Sequence, residues 1–163
     1  MNAQTERLTL SGPAGAIEAV RDSANLADGA APRGVAIIAH PHPLFGGTMD
    51  NKVVQTLARA FVQCGWTAVR FNFRGVGATA GVYDEGRGEL QDLLAVVEQV
   101  APAAAGQPLA LAGFSFGAFV TSHALEALWP TQRVEKAVLV GTAASRFTAV
   151  SYTHLRAHET PEH

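Results

Sequence analysis

Apolar runs of strand length alternate with segments of helical period along most of this chain. Three apolar runs, 34–40, 66–73 and 108–112, are each followed by a segment whose apolar residues recur at helical spacing. A further apolar run follows at 134–140. Strands that alternate with helices predict a doubly wound, mostly parallel sheet covered on both faces. Right-handed crossovers then place the carboxyl ends of the strands along one edge, where ligands bind in such folds.

The ends of the other predicted elements follow from capping and turn residues. Two short strands separated by a Gly12-Pro13 turn are expected before the alternating part. Asp50 is the predicted N-cap of the first helix, and Gly65 ends that helix. The predicted short strands are 7–10 and 16–20, and the predicted helices are 50–64, 90–100 and 116–128.

Length and composition restrict the class of protein. A chain of 163 residues holds one domain with a hydrophobic core, which we assign to residues 1–150. Its net charge of −2 indicates no nucleic-acid partner, and its apolar runs are too short to span a membrane. The single cysteine, Cys64, excludes an internal disulfide, and the N-terminus lacks a signal-peptide pattern, so we expect a cytoplasmic protein. Cys64 is predicted to be a buried small hydrophobe on a helix.

The segment Gly113-Phe114-Ser115-Phe116-Gly117 matches G-x-S-x-G between an apolar strand and an apolar helix. This pattern places the serine on a sharp turn with its hydroxyl above the sheet, and the glycines allow close approach of neighbouring groups. The following helix favours negative charge at its N-terminus. Ser115 is therefore the predicted nucleophile, and the Phe116 N–H is the first predicted oxyanion donor. The alternative is a serine that only packs between glycines.

The segment HPHPLFGG (40–47) follows the first buried strand, where a second oxyanion donor is expected. Proline has no N–H, so the candidates are the N–H groups of His42 and Leu44, and His42 is nearest the strand end. The rings of His40 and His42 are predicted to orient this loop through hydrogen bonds. A metal site is the alternative, and Asp50 is the one nearby residue that could complete it.

Three segments in order give the chain its resemblance to a known family: AHPHPLFGGTMDNKVV (39–54), VRFNFRGVGATAG (69–81) and LAGFSFGA (111–118). The chain resembles the α/β-hydrolase superfamily, and in particular its small, lid-poor branch near dienelactone hydrolases and serine-aminopeptidase-like hydrolases. The resemblance implies a serine hydrolase that acts on a small-molecule ester, thioester or amide through an acyl-enzyme, without a cofactor.

The resemblance also implies roles for particular residues. Ser115 corresponds to the nucleophile, and the N–H groups of Phe116 and His42 correspond to the oxyanion hole. Arg74 and the 75–81 loop would lie beside the pocket. In the family, a triad acid and then a histidine follow the nucleophile in chain order.

The chain up to residue 150 offers poor candidates for that acid and histidine. Asp84, Glu89 and Asp92 are predicted to lie on a solvated loop or helix face. His123, in the helix after Ser115, is predicted to have a packed or surface role. We therefore expect the triad acid and histidine beyond residue 150 of an intact protein, and near-inactivity of the present chain.

Residues 151–163 (SYTHLRAHETPEH) differ in composition from the rest of the chain. The segment contains almost no apolar residues and resembles the translated read-through of a sequencing-library adapter. We predict that it is a non-native tail which interrupts the domain where two further strand–helix units are expected. A histidine in such a tail would rarely be held at hydrogen-bond distance from Ser115.

Two other functions match parts of the sequence. Residues 75–80 (GVGATA) match the dinucleotide-binding pattern G-x-G-x-x-A, but that pattern must open a helix at once and residues 81–86 intervene. A non-catalytic module that binds a small molecule in the same pocket is the second alternative, if evolution removed the acid and the base. No sequence feature indicates an oligomeric state.

Overall fold

A six-stranded mixed sheet forms the centre of this protein in the computed structural model, which describes residues 5–141. The strands are β1 (Thr5–Gly12), β2 (Gly15–Asp22), β3 (Val35–Ala39), β4 (Thr67–Phe71), β5 (Leu109–Phe114) and β6 (Val134–Val140). The helices are α1 (Lys52–Gln63), α2 (Arg87–Val100) and α3 (Phe116–Leu128), with single 3₁₀ turns at Pro43–Phe45 and Ala103–Ala105. None of the described helices has the length and apolar character needed to cross a membrane.

The strand order in the sheet is β1-β2-β4-β3-β5-β6. The β1–β2 hairpin is antiparallel and joins β4 antiparallel, whereas β4, β3, β5 and β6 are mutually parallel. Because the parallel strands point the same way, the segments that follow β4, β3 and β5 emerge side by side at one edge. The predicted doubly wound α/β fold is therefore confirmed.

Helices cover both faces of this sheet. Helix α1 packs against small residues of β3, β4 and β5 on one face, whereas α2 and α3 pack against the larger apolar residues of the other face. Successive strand side chains point to opposite faces, which is why Ile37 and Ile38 belong to different clusters. All five residues of β3 are buried, as expected for a central strand covered on both faces.

The first helix begins one residue later than the sequence indicated. Asn51, not Asp50, is the N-cap, and its side chain accepts hydrogen bonds from the N–H groups of Val53 and Val54 at 2.9 and 3.2 Å. Asp50 instead contacts Arg70, whose Nη1 lies 3.1 Å from Asp50 Oδ1. Asp and Asn are comparably good caps, so local preference could not separate these adjacent positions.

The prediction that Cys64 is buried is wrong, because the residue is exposed at the C-terminal end of α1. The buried stripe of this helix includes Val54, Ala58, Phe61 and Val62. Cys64 falls outside that stripe, so the helical period turns it toward solvent. The predicted non-native tail, 151–163, and the end of the domain assigned to 1–150 lie outside the described residues.

Candidate active site

Ser115 occupies a single strained position between a strand and a helix. β5 ends at Phe114 and α3 begins at Phe116, and Ser115 between them has φ 58° and ψ −116°. Such a backbone costs on the order of 1–3 kcal/mol for a residue other than glycine. Hydrogen bonds on both sides hold it there: the Ser115 N–H donates to the Val140 carbonyl at 2.8 Å, and the Ala118 N–H donates to the Ser115 carbonyl at 2.9 Å.

The two glycines of the motif permit close backbone packing at this turn. A Cβ on Gly117 would lie 2.3 Å from the Ala39 carbonyl oxygen and 2.5 Å from the His40 carbonyl oxygen. A Cβ on Gly113 would lie 2.5 Å from the Gly117 carbonyl carbon. Helix α3 can therefore begin directly against the end of β3, which brings Ser115 next to the loop that follows that strand.

His40 connects the ends of two neighbouring strands. Its buried ring donates from Nδ1 to the Pro41 carbonyl at 2.7 Å and accepts the Phe73 N–H at Nε2, 3.0 Å away. Burial lowers the pKa of His40 from 6.5 to about 4, although the hydrogen bond to Pro41 opposes that shift. The neutral ring thus fixes the loop after β3 against the segment after β4, as predicted for this histidine.

We expect the stability of the fold to depend on the protonation of His40. Its pKa is lower in the folded protein than in the unfolded chain, so acid favours unfolding. The neutral His40 ring makes its full contribution to the free energy of unfolding above pH 6.5. That contribution, roughly 3 kcal/mol in total, is lost as the pH falls toward about 4. Urea denaturation of the wild type and of His40→Gln between pH 4 and 7 measures this, and the variant should show a flatter profile. Equal pH profiles of the wild type and His40→Gln would contradict this expectation. His123→Gln, which replaces a partly exposed histidine, is the control and should keep the wild-type profile.

His42 lies beside the first residue of helix α3. Its Nδ1 accepts the Leu44 N–H at 3.2 Å, so the neutral ring carries its proton on Nε2, which lies 3.2 Å from the Tyr83 hydroxyl oxygen. The ring centroid is 4.9 Å from that of Phe116 and 4.7 Å from that of Phe45. The structure therefore brings together the two residues predicted as oxyanion donors, and the His42 ring orients its own loop as predicted.

Residues 30–157 match the model of the family "Serine aminopeptidase, S33", which is more than half of the chain. This protein belongs to the S33 serine aminopeptidase family of α/β hydrolases. The family resemblance expected from the sequence is thereby confirmed.

Several solved structures and one curated sequence are similar to this S33-family chain. An α/β serine hydrolase without a lid from Xanthomonas campestris is 41% identical over 91% of this chain and 66% of its own, with a TM-score of 0.81. An α/β serine hydrolase homologue from Coxiella burnetii is 40% identical over 85% of this chain and 62% of its own, with a TM-score of 0.71. An uncharacterized protein from Rickettsia prowazekii is 44% identical over 89 residues. The chain spans just under two thirds of the two structures and 37% of the Rickettsia protein.

Tyr83 is a residue of this S33-family site that the sequence analysis missed. Its hydroxyl bonds to the His42 ring, and its own ring lies 5.0 Å from His42 and 5.9 Å from Phe116. Burial raises the pKa of Tyr83, and the negative charges of Glu89 and Glu85 raise it further. The hydroxyl therefore stays protonated at neutral pH. Only its place in a glycine-rich loop after a strand could have drawn attention to it.

The prediction that Glu89 is solvated is wrong. Glu89 is fully buried in the first turn of α2, and its carboxylate accepts the N–H groups of Asp84 and Gly86, both at 2.8 Å. The loop after β4 folds back over the start of α2 and removes this carboxylate from water. Asp84, in contrast, remains partly exposed.

The prediction that Asp92 is solvated is also wrong. Its side chain is 1% exposed and accepts hydrogen bonds from the Arg74 backbone N–H at 3.0 Å, from Nε at 3.1 Å and from Nη2 at 2.8 Å. Asp92 in turn raises the pKa of the Arg74 guanidinium. Arg74 crosses α2 at Gly88, where a Cβ would lie 2.3 Å from Arg74 Nη1. This ion pair supports the loop beside the site from below.

The glycine-rich loop of the S33-family chain does not open a helix. Gly75 and Gly77 have φ values of 81° and 54°, and α2 begins only at Arg87. The loop is attached instead to β2, because Glu18 Oε1 accepts the Ala78 N–H at 2.8 Å. The dinucleotide-binding pattern therefore lacks the helix that it requires.

The described residues supply no hydrogen-bond partner for the Ser115 hydroxyl. His123 lies two turns into α3, where its ring packs edge-on against Phe119 with centroids 4.8 Å apart, in agreement with its predicted packed role. Within residues 5–141 there is also no group of three His, Cys, Asp or Glu side chains that could hold a metal ion. The described part of the site thus holds a serine and backbone donors without a histidine on that serine.

Proposed function

We propose that Ser115 is the nucleophile of a serine hydrolase that cleaves a small-molecule ester, thioester or amide through an acyl-enzyme. The backbone of Ser115 carries this proposal, because a serine held at φ 58° between a buried strand and a helix presents its hydroxyl above the sheet edge. Glycine would adopt this backbone conformation without the steric strain, so packing alone does not explain a serine at this position. The similarity to the X. campestris serine hydrolase supports the same chemistry.

The oxyanion hole in this proposal consists of the N–H groups of Phe116 and His42. The first N–H groups of a helix have no acceptor within it, so the Phe116 N–H at the start of α3 is available to a ligand oxygen. The Leu44 N–H, the other candidate, already bonds to His42 Nδ1, which favours His42 as the second donor. The dipole of α3 adds to the stabilisation of negative charge beside Ser115.

The reaction begins when Ser115 Oγ attacks the carbonyl carbon and loses its proton to a general base. The tetrahedral oxyanion forms between the two N–H groups. It then collapses as the bond from the carbonyl carbon to the leaving group breaks, the base returns its proton to the leaving group, and an acyl group stays on Ser115. Water then attacks the acyl carbonyl and gives a proton to the same base, and the second tetrahedral oxyanion collapses to release the carboxylic acid and a reprotonated Ser115 hydroxyl. Because no described residue bonds to Ser115 Oγ, we propose that the 163-residue chain turns over substrate very slowly. We further propose a cytoplasmic location, because the lone cysteine, Cys64, fits a reducing compartment.

A fluorophosphonate ester tests the role of Ser115, since it forms a stable adduct with an activated serine. We expect slow labelling of the 163-residue chain, faster labelling when imidazole is added as a base, and mass-spectrometric mapping of the adduct to Ser115. Ser115→Ala should abolish the labelling. Ser122→Ala is the matched control, because Ser122 is a buried serine of α3, the helix that begins directly after Ser115.

The outcomes separate the two parts of the proposal. Labelling that persists in Ser115→Ala, or that maps to another residue, would remove Ser115 as the nucleophile. No labelling even with imidazole would favour the non-catalytic binding module. Robust Ser115-dependent hydrolysis of p-nitrophenyl acetate by the unmodified chain would leave the nucleophile in place and show that the proposed slow turnover is wrong.

A further inference from the structure

Three large apolar side chains are exposed on the two loops beside the site. Leu44 is 63% exposed, Phe45 82% and Val82 76%, and we call these three residues the apolar rim. Among the described residues, the one other large apolar side chain that is exposed is Leu26, at only 37%. Single exposed apolar residues are common, but here they concentrate where the loops after β3 and β4 leave the sheet edge.

Ring contacts connect the apolar rim to the candidate oxyanion hole. The Phe45 ring lies 4.7 Å from that of His42, and the His42 ring lies 4.9 Å from that of Phe116. Val82 precedes Tyr83, whose hydroxyl bonds to the same His42 ring at 3.2 Å. A group bound against the rim would therefore lie beside the candidate oxyanion hole.

The segments that directly carry the apolar rim contain no charged side chain of Asp, Glu, Lys or Arg, although Asp50, Arg74, Asp84 and Glu85 flank them on the same loops. Neither residues 41–47 nor residues 75–83 include one. The polar atoms of the His42 ring are also occupied by the Leu44 N–H and by the Tyr83 hydroxyl. The rim itself thus offers apolar contact and no charge. Of the flanking charges, Arg74 is paired with Asp92 and Asp84 lies 3.7 Å from Arg87. Such a surface suits an uncharged hydrocarbon group.

We propose that the apolar rim binds an apolar chain attached to the reacting carbonyl, so that the substrates are esters or thioesters of medium-chain or aromatic acyl groups. This inference rests on the function proposed above and names the substrate class of the same site. Phe45 and Val82 are specificity-determining residues in this account, because they contact the chain and not the reacting atoms.

Binding of two methyl ketones tests the inference without turnover. 2-Octanone and 2-butanone present the same carbonyl but differ in chain length, and neither is hydrolysed. In NMR titrations of the 163-residue protein we expect 2-octanone to bind at least about ten times more tightly than 2-butanone. Phe45→Ser and Val82→Ser should each reduce that ratio severalfold, whereas Leu26→Ser, on the loop after β2, should leave it unchanged. Because Phe45 and Val82 are exposed, these variants are expected to fold.

The results also distinguish this inference from the proposed function. Equal affinities for the two ketones, or a ratio that Leu26→Ser reduces as much as Phe45→Ser does, would overturn the substrate class, even if Ser115 is labelled by the fluorophosphonate. A chain-length preference that depends on Phe45 and Val82 would support the apolar binding surface, even if Ser115 proved unreactive. In that case the proposed hydrolase activity alone would fail.

Discussion

Replacing Arg74 with methionine is expected to lower the free energy of unfolding by about 3–5 kcal/mol. The substitution leaves the Asp92 carboxylate, which is 1% exposed, with only the backbone N–H of residue 74 among its present partners. An unpaired buried charge costs far more than the loss of one surface contact, because it has neither water nor a counter-ion. Urea denaturation at pH 7 measures the change.

Two further variants make this expectation specific to the buried pair. Arg87→Met removes an exposed arginine whose Nη2 lies 3.7 Å from Asp84 Oδ1, and it should change stability by less than about 1 kcal/mol. The double variant Arg74→Met/Asp92→Leu removes both charges and should recover part of the lost stability. If Arg74→Met lowered the free energy of unfolding no more than Arg87→Met does, the Arg74–Asp92 ion pair would not stabilise the loop after β4 as the structure indicates.

The second large effect is expected at Gly117, where alanine should destabilise the fold by about 3 kcal/mol or more. The new Cβ would meet the carbonyl oxygens of Ala39 and His40 at 2.3 and 2.5 Å, and neither backbone atom can rotate away. Strand β3 and helix α3 would have to separate at the point where they position Ser115. The gain of about 1 kcal/mol in helix propensity from glycine to alanine is too small to offset this.

Gly106→Ala is the control, because it replaces a glycine at a position where the new Cβ meets no other atom. Gly106 has φ 69°, and no atom lies within 4 Å of the Cβ position, so the expected cost is about 1–2 kcal/mol from backbone strain alone. Thermal denaturation ranks the two variants. Fluorophosphonate labelling of Ser115 should fall in Gly117→Ala and persist in Gly106→Ala. Similar stability and labelling in both variants would show that the contact between α3 and β3 tolerates a side chain.

The positions of the site residues follow from the order of the strands. β4, β3 and β5 lie next to one another and point the same way, so the loops of Tyr83 and His42 and the turn of Ser115 meet at one edge. A buried group fixes each of the two loops from beneath: Asp92 with Arg74 under the loop of Tyr83, and His40 under the loop of His42. These supports contact no reacting atom in the proposed mechanism, but they hold the loop of His42, whose N–H we propose as an oxyanion donor.

The sequence by itself determined the alternation of strands and helices, the turn at Ser115 and the two residues, His42 and Phe116, that meet beside it. These features depend on local patterns, namely apolar periodicity, a glycine-flanked serine and the missing N–H of proline. The bounds of α3 and β6 agree with the sequence prediction because Ser115 and Pro130 interrupt the pattern on both sides of α3.

Only the tertiary structure decided which polar residues are buried and which partners they have. Glu89 and Asp92 resemble solvated helix residues in the sequence, and both are removed from water by a loop that returns across α2. The bond between Tyr83 and His42 joins residues 41 positions apart, so no local pattern can indicate it. Local patterns determine which elements form, because helix and strand formation depend on residues that are close in sequence. Burial and pairing depend on contacts between elements distant in sequence, and these are set by the order of the strands.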